Sequence, residues 1–235
     1  MFKNKAVSYI IFGVSLAVFL TSATMIVKYF YDGSKVNREF EKLTEITEIT
    51  EDNTSSDEVI SEDDEAISKI QLLQAMNEEC IGWITIEDTP VNYPVMHTPD
   101  DPEKYLRRDF NNKYSAAGVP FVDARCDLQS PNIIIYGHNM KNRSMFGSLR
   151  NYLKDEYLKA HPVIKFETMN GCEYYTIVEV RKTDTSDSWY NQSINSTDGN
   201  EYLTLSTCRG TVKTDRLLII AVKTKMRLNA ANYYK

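Results

Sequence analysis

The sequence predicts a mainly β protein: a closed barrel of eight strands with an N-terminal helix and one or two further helices. Two segments, residues 64–80 and 144–159, carry apolar side chains every three to four positions, which is typical of amphipathic helices. The rest of the chain beyond residue 80 is dominated by short runs of apolar, β-branched and aromatic residues. These eight runs lie at residues 82–86, 91–96, 119–123, 133–136, 163–167, 173–181, 202–207 and 216–224. Eight short strands favour a closed barrel, because closure leaves no unpaired sheet edge.

The first element is an apolar segment at the N-terminus. Residues 6–27 contain no charged side chain, and twenty-two helical residues would span about 33 Å, enough for a hydrocarbon core of about 30 Å. The segment is longer than the apolar part of a signal peptide and is followed by no convincing small-residue cleavage site. We therefore interpret residues 1–28 as a cytoplasmic N-terminus and a retained transmembrane signal anchor.

An acidic segment separates this anchor from the body of the chain. Residues 39–65 hold twelve acidic side chains and one basic side chain, a composition typical of a solvated segment. We expect residues 29–63 to form a flexible linker with some transient helix, and residues 64–235 to form one domain, which the family resemblance described below places outside the cell. The formal charge of −6 is concentrated in the linker, so the body is nearly neutral and nothing in it indicates nucleic-acid binding.

Two segments of the body connect the predicted strands. In the helix predicted at residues 144–159, Phe146, Leu149, Leu153 and Leu158 are expected to face inward, and the helix ends before Pro162. Residues 182–200 are rich in turn-forming residues and are expected to form a polar loop before the seventh strand.

The last two strands bring a thiol close to a positive charge. The alternating run at residues 202–207 ends at Cys208, and the apolar run that follows begins at Arg216. If the two strands pair as a hairpin, the end of one faces the start of the next. A fixed cation near a thiol favours the nucleophilic thiolate. Cys208 is therefore the candidate nucleophile, and Arg216 is a candidate clamp for a substrate or an oxyanion.

A histidine completes this set. His138 follows the apolar strand at residues 133–136 on a glycine-containing turn, where a side chain can enter a cleft as a general acid or base. Ser206 and Thr207 precede the thiol and are candidate substrate-binding residues. Because neighbouring strand residues point to opposite faces, Ser206 is expected to share the face of Cys208.

These motifs together resemble the sortases of Gram-positive bacteria. The segment Thr-Leu-Ser-Thr-Cys at 204–208, the later Arg216 and the earlier His138 carry the family resemblance. The longer segments at 82–86, 92–95, 114–118, 121–123 and 136–149 resemble the class B branch in particular. The resemblance covers roughly residues 65–225. In the connection at 182–200, where class B sortases usually carry a helix, this chain departs from the family pattern.

The resemblance implies the fold, the chemistry and the location. It implies a membrane-anchored cysteine transpeptidase with a sortase-type barrel outside the cell membrane, and a catalytic set of His138, Cys208 and Arg216. It assigns the third role to an arginine, although Asp123 or Asp215 could also be imagined to orient the histidine. The implied substrate is a secreted protein with a C-terminal sorting signal like Asn-Pro-x-Thr-x. The implied acceptor is an amine of a peptidoglycan precursor.

Other functions remain open at this stage. The same residues would serve a cysteine peptidase that uses water as the acceptor, or a pilin-polymerising sortase of another class. A membrane-anchored surface module that only binds a peptide is the non-enzymatic alternative. Neither a metal nor an organic cofactor is suggested by the sequence, since the four cysteines show no metal-ligand spacing.

Overall fold

The computed structural model describes residues 5–52, 68–192, 194, 197–210 and 212–224. Eight strands form a closed barrel, as predicted from the sequence. The strands are β1 (Cys80–Thr85), β2 (Asn92–Met96), β3 (Phe121–Val122), β4 (Asn132–Tyr136), β5 (Val163–Thr168), β6 (Gly171–Asp184), β7 (Tyr202–Cys208) and β8 (Asp215–Lys223). Their order around the barrel is β1-β2-β3-β4-β7-β8-β6-β5, and β5 closes the barrel on β1.

The order of the strands places two parallel pairs next to the candidate site. β2 pairs with β3 and β4 pairs with β7 in parallel, whereas the other neighbours are antiparallel. Side chains from these strands, among them Met96, Ile134, Leu205 and Ile219, are fully buried and form part of one hydrophobic core. A packed interior fixes the strand ends, and therefore any side chains that follow them.

The N-terminal helix is longer than the sequence predicted. α1 (Lys5–Asp52) includes residues 29–52, which we expected to belong to a flexible linker; residues 53–63 lie outside the described part of the chain. Within α1, Tyr9–Val27 is long and apolar enough to cross a membrane, a property that signal sequences share. Further along, Leu43 is buried against the core, where α1 contacts α2 (Lys69–Met76) and β2. This burial is a tertiary contact, and it favours helix where composition alone favours coil.

The helix predicted at residues 64–80 begins after a capping residue, Ser68. Ser68 accepts a hydrogen bond from the backbone N–H of Gln71, and the Gln71 side chain accepts one from the backbone N–H of Ser68, which forms a capping box. Of the residues 64–80 predicted as helix, 64–67 lie outside the described residues and α2 ends at Met76.

The helix predicted at residues 144–159 is divided into two. Residues Phe146–Leu153 form a 3₁₀ helix, and α3 (Asp155–Ala160) follows an extended Lys154. A 3₁₀ helix has three residues per turn, so its large buried side chains, Phe146, Leu149 and Tyr152, recur at every third position; the small residues Gly147 and Ser148 are buried as well. Leu153, expected to face inward, is 41% exposed.

The connection at residues 182–200 is also more ordered than predicted. β6 extends to Asp184, and a short helix, α4 (Trp189–Gln192), follows instead of a polar loop throughout. Asp187 accepts a hydrogen bond from the backbone N–H of Trp189, and the Trp189 indole donates to the hydroxyl of Thr204 on β7. Two aromatic side chains, Trp189 and Tyr190, therefore hold this segment against the strand that carries the thiol.

Candidate active site

The hairpin of β7 and β8 places Cys208 directly opposite Arg216. The two residues are Cα partners in the antiparallel ladder, at the last position of β7 and near the first position of β8. Ladder bonds hold both strands back to Tyr202 and Val222, so the positions of the two Cα atoms are fixed by the barrel. The sequence predicted that Cys208 and Arg216 lie close together if the two strands form a hairpin. The backbone has this hairpin, and the two residues face each other in it.

Of the four cysteines, Cys208 is the one with the setting of a nucleophile. Burial raises the pKa of the Cys80 thiol to about 12 and that of Cys126 to about 11, so both thiols stay protonated at neutral pH. Cys172 is exposed at the start of β6, and partial burial of its sulfur raises its pKa as well. All four thiols are free, and Cys208 is exposed in a cleft.

His138 enters the same cleft from the neighbouring strand. β4 runs parallel to β7, with Tyr136 beside Ser206, and the backbone N–H of Gly137 donates to the Ser206 carbonyl at 3.1 Å. His138 lies two residues after Tyr136, and Cys208 lies two residues after Ser206. The cleft has a volume of about 830 Å³, and its lining includes His138, Cys208 and Arg216.

The imidazole of His138 has one fixed partner. Its Nε2 lies 2.8 Å from the carbonyl oxygen of Leu106. A carbonyl oxygen only accepts, so in the neutral ring Nε2 carries the hydrogen and Nδ1 holds the free lone pair. Burial of the ring lowers the pKa of His138; the bond to Leu106 opposes this shift, and the cation of Arg107 adds to it. His138 is therefore mainly neutral at neutral pH, and Nδ1 is the nitrogen able to accept a proton.

Arg216 is held by the loop before it. Its Nη1 donates to the carbonyl oxygens of Lys213 and Asp215, at 2.6 and 3.0 Å. Within the described residues, its Nε and Nη2 groups make no hydrogen bond and are free to donate into the cleft. Arg209, the alternative cation beside the thiol, instead pairs through Nη2 with the carboxylate of Asp215 at 3.0 Å. The cleft lining does not include Arg209.

The two predicted substrate-binding residues line the cleft but already have internal partners. Ser206 is buried, and its hydroxyl lies 2.7 Å from the hydroxyl of Tyr190 on α4. Thr207 is also buried, and its hydroxyl donates to the carbonyl oxygen of Gly137 at 2.8 Å. Their direct role in binding a substrate stays a prediction.

The structure also shows why neither aspartate orients the histidine. Both carboxylate oxygens of Asp123 accept from Arg125, and one also accepts from the Tyr136 hydroxyl. Burial opposes ionisation of this carboxyl, but the hydrogen bonds from Arg125 hold the pKa of Asp123 below its usual range. Asp215 pairs with Arg209. Arg125 also donates to Asn191 on α4 and so fixes one wall of the cleft.

Sequence reasoning missed several residues of the site. Leu106 supplies a backbone carbonyl, which no side-chain pattern indicates. Asn139 donates from Nδ2 to the Cys208 carbonyl oxygen at 2.7 Å, and its position next to His138 was the available signal. Gly137 was noted only as part of a turn; a Cβ there would lie 2.5 Å from the ring of Phe146, so a side chain would displace the turn that carries His138.

Comparison with known proteins agrees with this geometry. The sortase domain family model matches residues 84–224. Sortase B of Listeria monocytogenes is 36% identical over 146 residues, which are 59% of this chain and 57% of that protein. Sortase B of Staphylococcus aureus is 27% identical over 180 residues, 65% of this chain and 73% of that protein. The crystal structure of sortase B from B. anthracis in complex with AAEK1 superposes with a TM-score of 0.66 at 29% identity, over 84% of this chain and all of that one.

The match to the Listeria protein spans little more than half of that protein's length, whereas the family model covers well over half of this chain. The barrel and the order of the motifs are those of the family. The chain therefore belongs to the sortases, a family of cysteine transpeptidases, and its relatives are the sortase B proteins.

Proposed function

We propose that this protein is a membrane-anchored class B sortase. It would cleave a C-terminal sorting signal like Asn-Pro-x-Thr-x after the threonine, and transfer the secreted protein to an amine of a peptidoglycan precursor. The observation that carries the proposal is the convergence of Cys208, His138 and Arg216 on one cleft, with Cys208 and Arg216 paired across the β7–β8 hairpin. A thiol, a neutral imidazole and a fixed cation are the groups that acyl transfer through a thioester requires.

The first half-reaction forms the thioester. Nδ1 of the neutral His138 accepts the thiol proton as the Cys208 sulfur attacks the carbonyl carbon of the scissile peptide bond. The carbonyl oxygen becomes an oxyanion, and the free N–H groups of Arg216 donate hydrogen bonds to it. When the intermediate collapses, the carbon–nitrogen bond breaks and the His138 imidazolium gives its proton to the leaving amine.

The second half-reaction uses the same groups in reverse. The acceptor amine attacks the thioester carbon, and His138 accepts a proton from the incoming nitrogen. Arg216 again donates to the oxyanion, and the thiolate leaves and recovers a proton from His138. A new peptide bond replaces the thioester, so no other reactant is consumed.

The apolar N-terminal segment supports the membrane location. No part of Tyr9–Val27 is buried in the fold, and the segment could span a bilayer by its length and composition. We propose that it is a retained single-pass anchor with the barrel on the extracellular side, where secreted substrates and peptidoglycan precursors meet.

Product analysis tests the proposal. The full chain in detergent is incubated with an Asn-Pro-x-Thr-x peptide, with and without triglycine or a diaminopimelate-type amine, and the products are identified by mass spectrometry. We expect cleavage after threonine, an acyl adduct on Cys208, and a ligated product only when the amine is added. Cys208→Ala is the matched control and should give neither adduct nor product.

The alternatives predict different products. Exclusive release of the free acid at saturating amine would favour a cysteine peptidase. Ligation to a lysine side chain of another substrate protein, in preference to the added amines, would favour a pilin-polymerising enzyme. A peptide that binds but is never cleaved would indicate a binding module.

A further inference from the structure

The backbone ladder between β4 and β7 stops before it reaches the candidate catalytic residues. Its last bond runs from the N–H of Gly137 to the Ser206 carbonyl oxygen, at 3.1 Å. His138 lies one residue beyond this bond on one strand, and Cys208 lies two residues beyond it on the other. Parallel pairing alone therefore does not fix the separation of the two strand ends.

Two side-chain hydrogen bonds continue the pairing past this point. Thr207 donates from its hydroxyl to the Gly137 carbonyl oxygen at 2.8 Å, across 70 positions of the chain. Asn139 donates from Nδ2 to the Cys208 carbonyl oxygen at 2.7 Å, across 69 positions. The first bond is donated from β7 and the second from the turn after β4; the two flank His138 on one strand and end at Thr207 and Cys208 on the other.

The surroundings show why this link matters for Cys208. The loop after it contains Gly210, which has a φ of 77°. On the other side, the backbone of His138 is fixed by its own bonds, since its carbonyl oxygen accepts from the N–H of Phe146 at 3.0 Å and its ring bonds to Leu106. Cys208 is paired with Arg216 of β8 on one side, and Asn139 adds the link on its other side, to the turn that carries His138.

We propose that Asn139, together with Thr207, is a positioning residue for acyl transfer. The two side chains hold the end of β7 against the turn after β4, and this sets the separation between the Cys208 sulfur and the His138 imidazole. Neither bond reaches the reacting atoms, and both act through the backbone. The inference rests on the proposed sortase activity for its kinetic consequence, but the link itself is a property of the folded chain.

The asparagine allows a clean substitution. Its Oδ1 atom is buried and has no hydrogen-bond partner among the described residues. Asn139→Ala therefore removes the bond to the Cys208 carbonyl and no other polar contact of this side chain. Asn139→Asp keeps the shape but sets a carboxylate oxygen against a carbonyl oxygen, which repels instead of bonding.

Steady-state kinetics with a sorting-signal peptide test the effect on the reaction. For Asn139→Ala and Thr207→Val we expect kcat to fall about 10- to 100-fold, because a misplacement of about 1 Å can cost a factor of this order. For Asn139→Ala, whose side chain does not line the cleft, KM should change by less than about three-fold, since ground-state contacts with the peptide are kept. Asn139→Asp should be at least as slow as Asn139→Ala. The matched control is Asn151→Ala, which removes a bond to Arg143 away from the cleft and should keep wild-type kcat.

Hydrogen–deuterium exchange of the full chain tests the link without relying on turnover. We expect faster uptake in residues 137–140 and 208–210 of Asn139→Ala, with unchanged uptake in β1 and β5 and a melting temperature within a few degrees of wild type. Thr207→Val serves as the second variant if Asn139→Ala does not fold.

The outcomes separate the two proposals. A wild-type kcat for both variants, or a loss confined to KM, would overturn the positioning role. Unchanged exchange at both strand ends would overturn the link itself. If wild type performs no acyl transfer while exchange at the strand ends rises in Asn139→Ala, the proposed function fails and the link stands.

Discussion

Replacing Arg216 by lysine tests the role of the guanidinium most directly. The substitution keeps a positive charge but removes the planar group with its several fixed donors. In the structure, Nη1 of Arg216 already bonds to the carbonyl oxygens of Lys213 and Asp215. Because the guanidinium is planar and rigid, these two bonds also restrict the directions in which its other N–H groups donate.

The magnitude follows from what lysine can do at this position. Its single ammonium can satisfy the loop carbonyls or approach an oxyanion, but it cannot do both with the arginine's geometry. Loss of one donor to an oxyanion typically costs about 2.7–4 kcal/mol, which is roughly a 100- to 1000-fold loss of rate. We expect Arg216→Lys to lose turnover within this range, with the larger part of the loss in kcat.

Arg209→Lys is the matched control, because the two arginines flank the same loop. Arg209 has a side chain that is 37% exposed, and its ion pair with Asp215 is the main contact at risk. A pair of this exposure contributes about 0–1 kcal/mol, so the control should lose less than roughly five-fold. The assay is kcat and KM of both variants with one fluorogenic sorting-signal peptide at one pH, accompanied by thermal melts. A crippled Arg209→Lys beside a nearly normal Arg216→Lys would show that the two roles are reversed.

Three further predictions concern the nucleophile, the pH dependence and the domain boundary. Cys208→Ala should abolish peptide cleavage without changing the thermal melt; measurable turnover in a preparation free of wild type would exclude Cys208 as the nucleophile. In the proposed mechanism neutral His138 is the base for thiol attack, and because burial lowers its pKa, the loss of kcat/KM on acidification is expected below the ordinary histidine pKa of about 6.5. Because the Arg107 cation helps to lower that pKa, Arg107→Gln should move this acid limb to higher pH; a limb that stays in place or moves lower in a full pH–rate profile would contradict the assignment. A chain that begins at Asp64 should be soluble, monomeric and active, and less stable by about 2 kcal/mol in urea unfolding because it loses the burial of Leu43. Insolubility of the shortened chain beside an active full chain in detergent would place the segment before Asp64 inside the domain.

Local patterns were sufficient for the strands and for one half of the site. The runs of β-forming residues located all eight strands to within a few positions, because strand propensity and alternation are properties of adjacent residues. The pairing of Cys208 with Arg216 was also predictable, since consecutive antiparallel strands joined by a short loop bring their facing ends together.

Elements whose form depends on packing were predicted less well. The segment at residues 144–159 has a helical pattern, but only the fit of Phe146, Leu149 and Tyr152 against the barrel selects the 3₁₀ spacing. Similarly, α4 forms in a polar, turn-rich connection because its two aromatic side chains bond to hydroxyls on β7. Residues 29–52 were expected to be a coil, and the burial of Leu43 could not be seen in their composition.

The sequence by itself determined the eight-stranded barrel and the family, because strand propensity and the family motifs lie in runs of adjacent residues, and it predicts the three reactive side chains. Only the tertiary structure decided how His138 and Cys208 come to line the same cleft. β4 and β7 are neighbours in parallel although β5 and β6 lie between them in the chain. The bonds from His138 to Leu106, from Thr207 to Gly137 and from Asn139 to Cys208 join residues 32 to 70 positions apart. Such contacts arise when the barrel closes, and no periodicity along the chain encodes them.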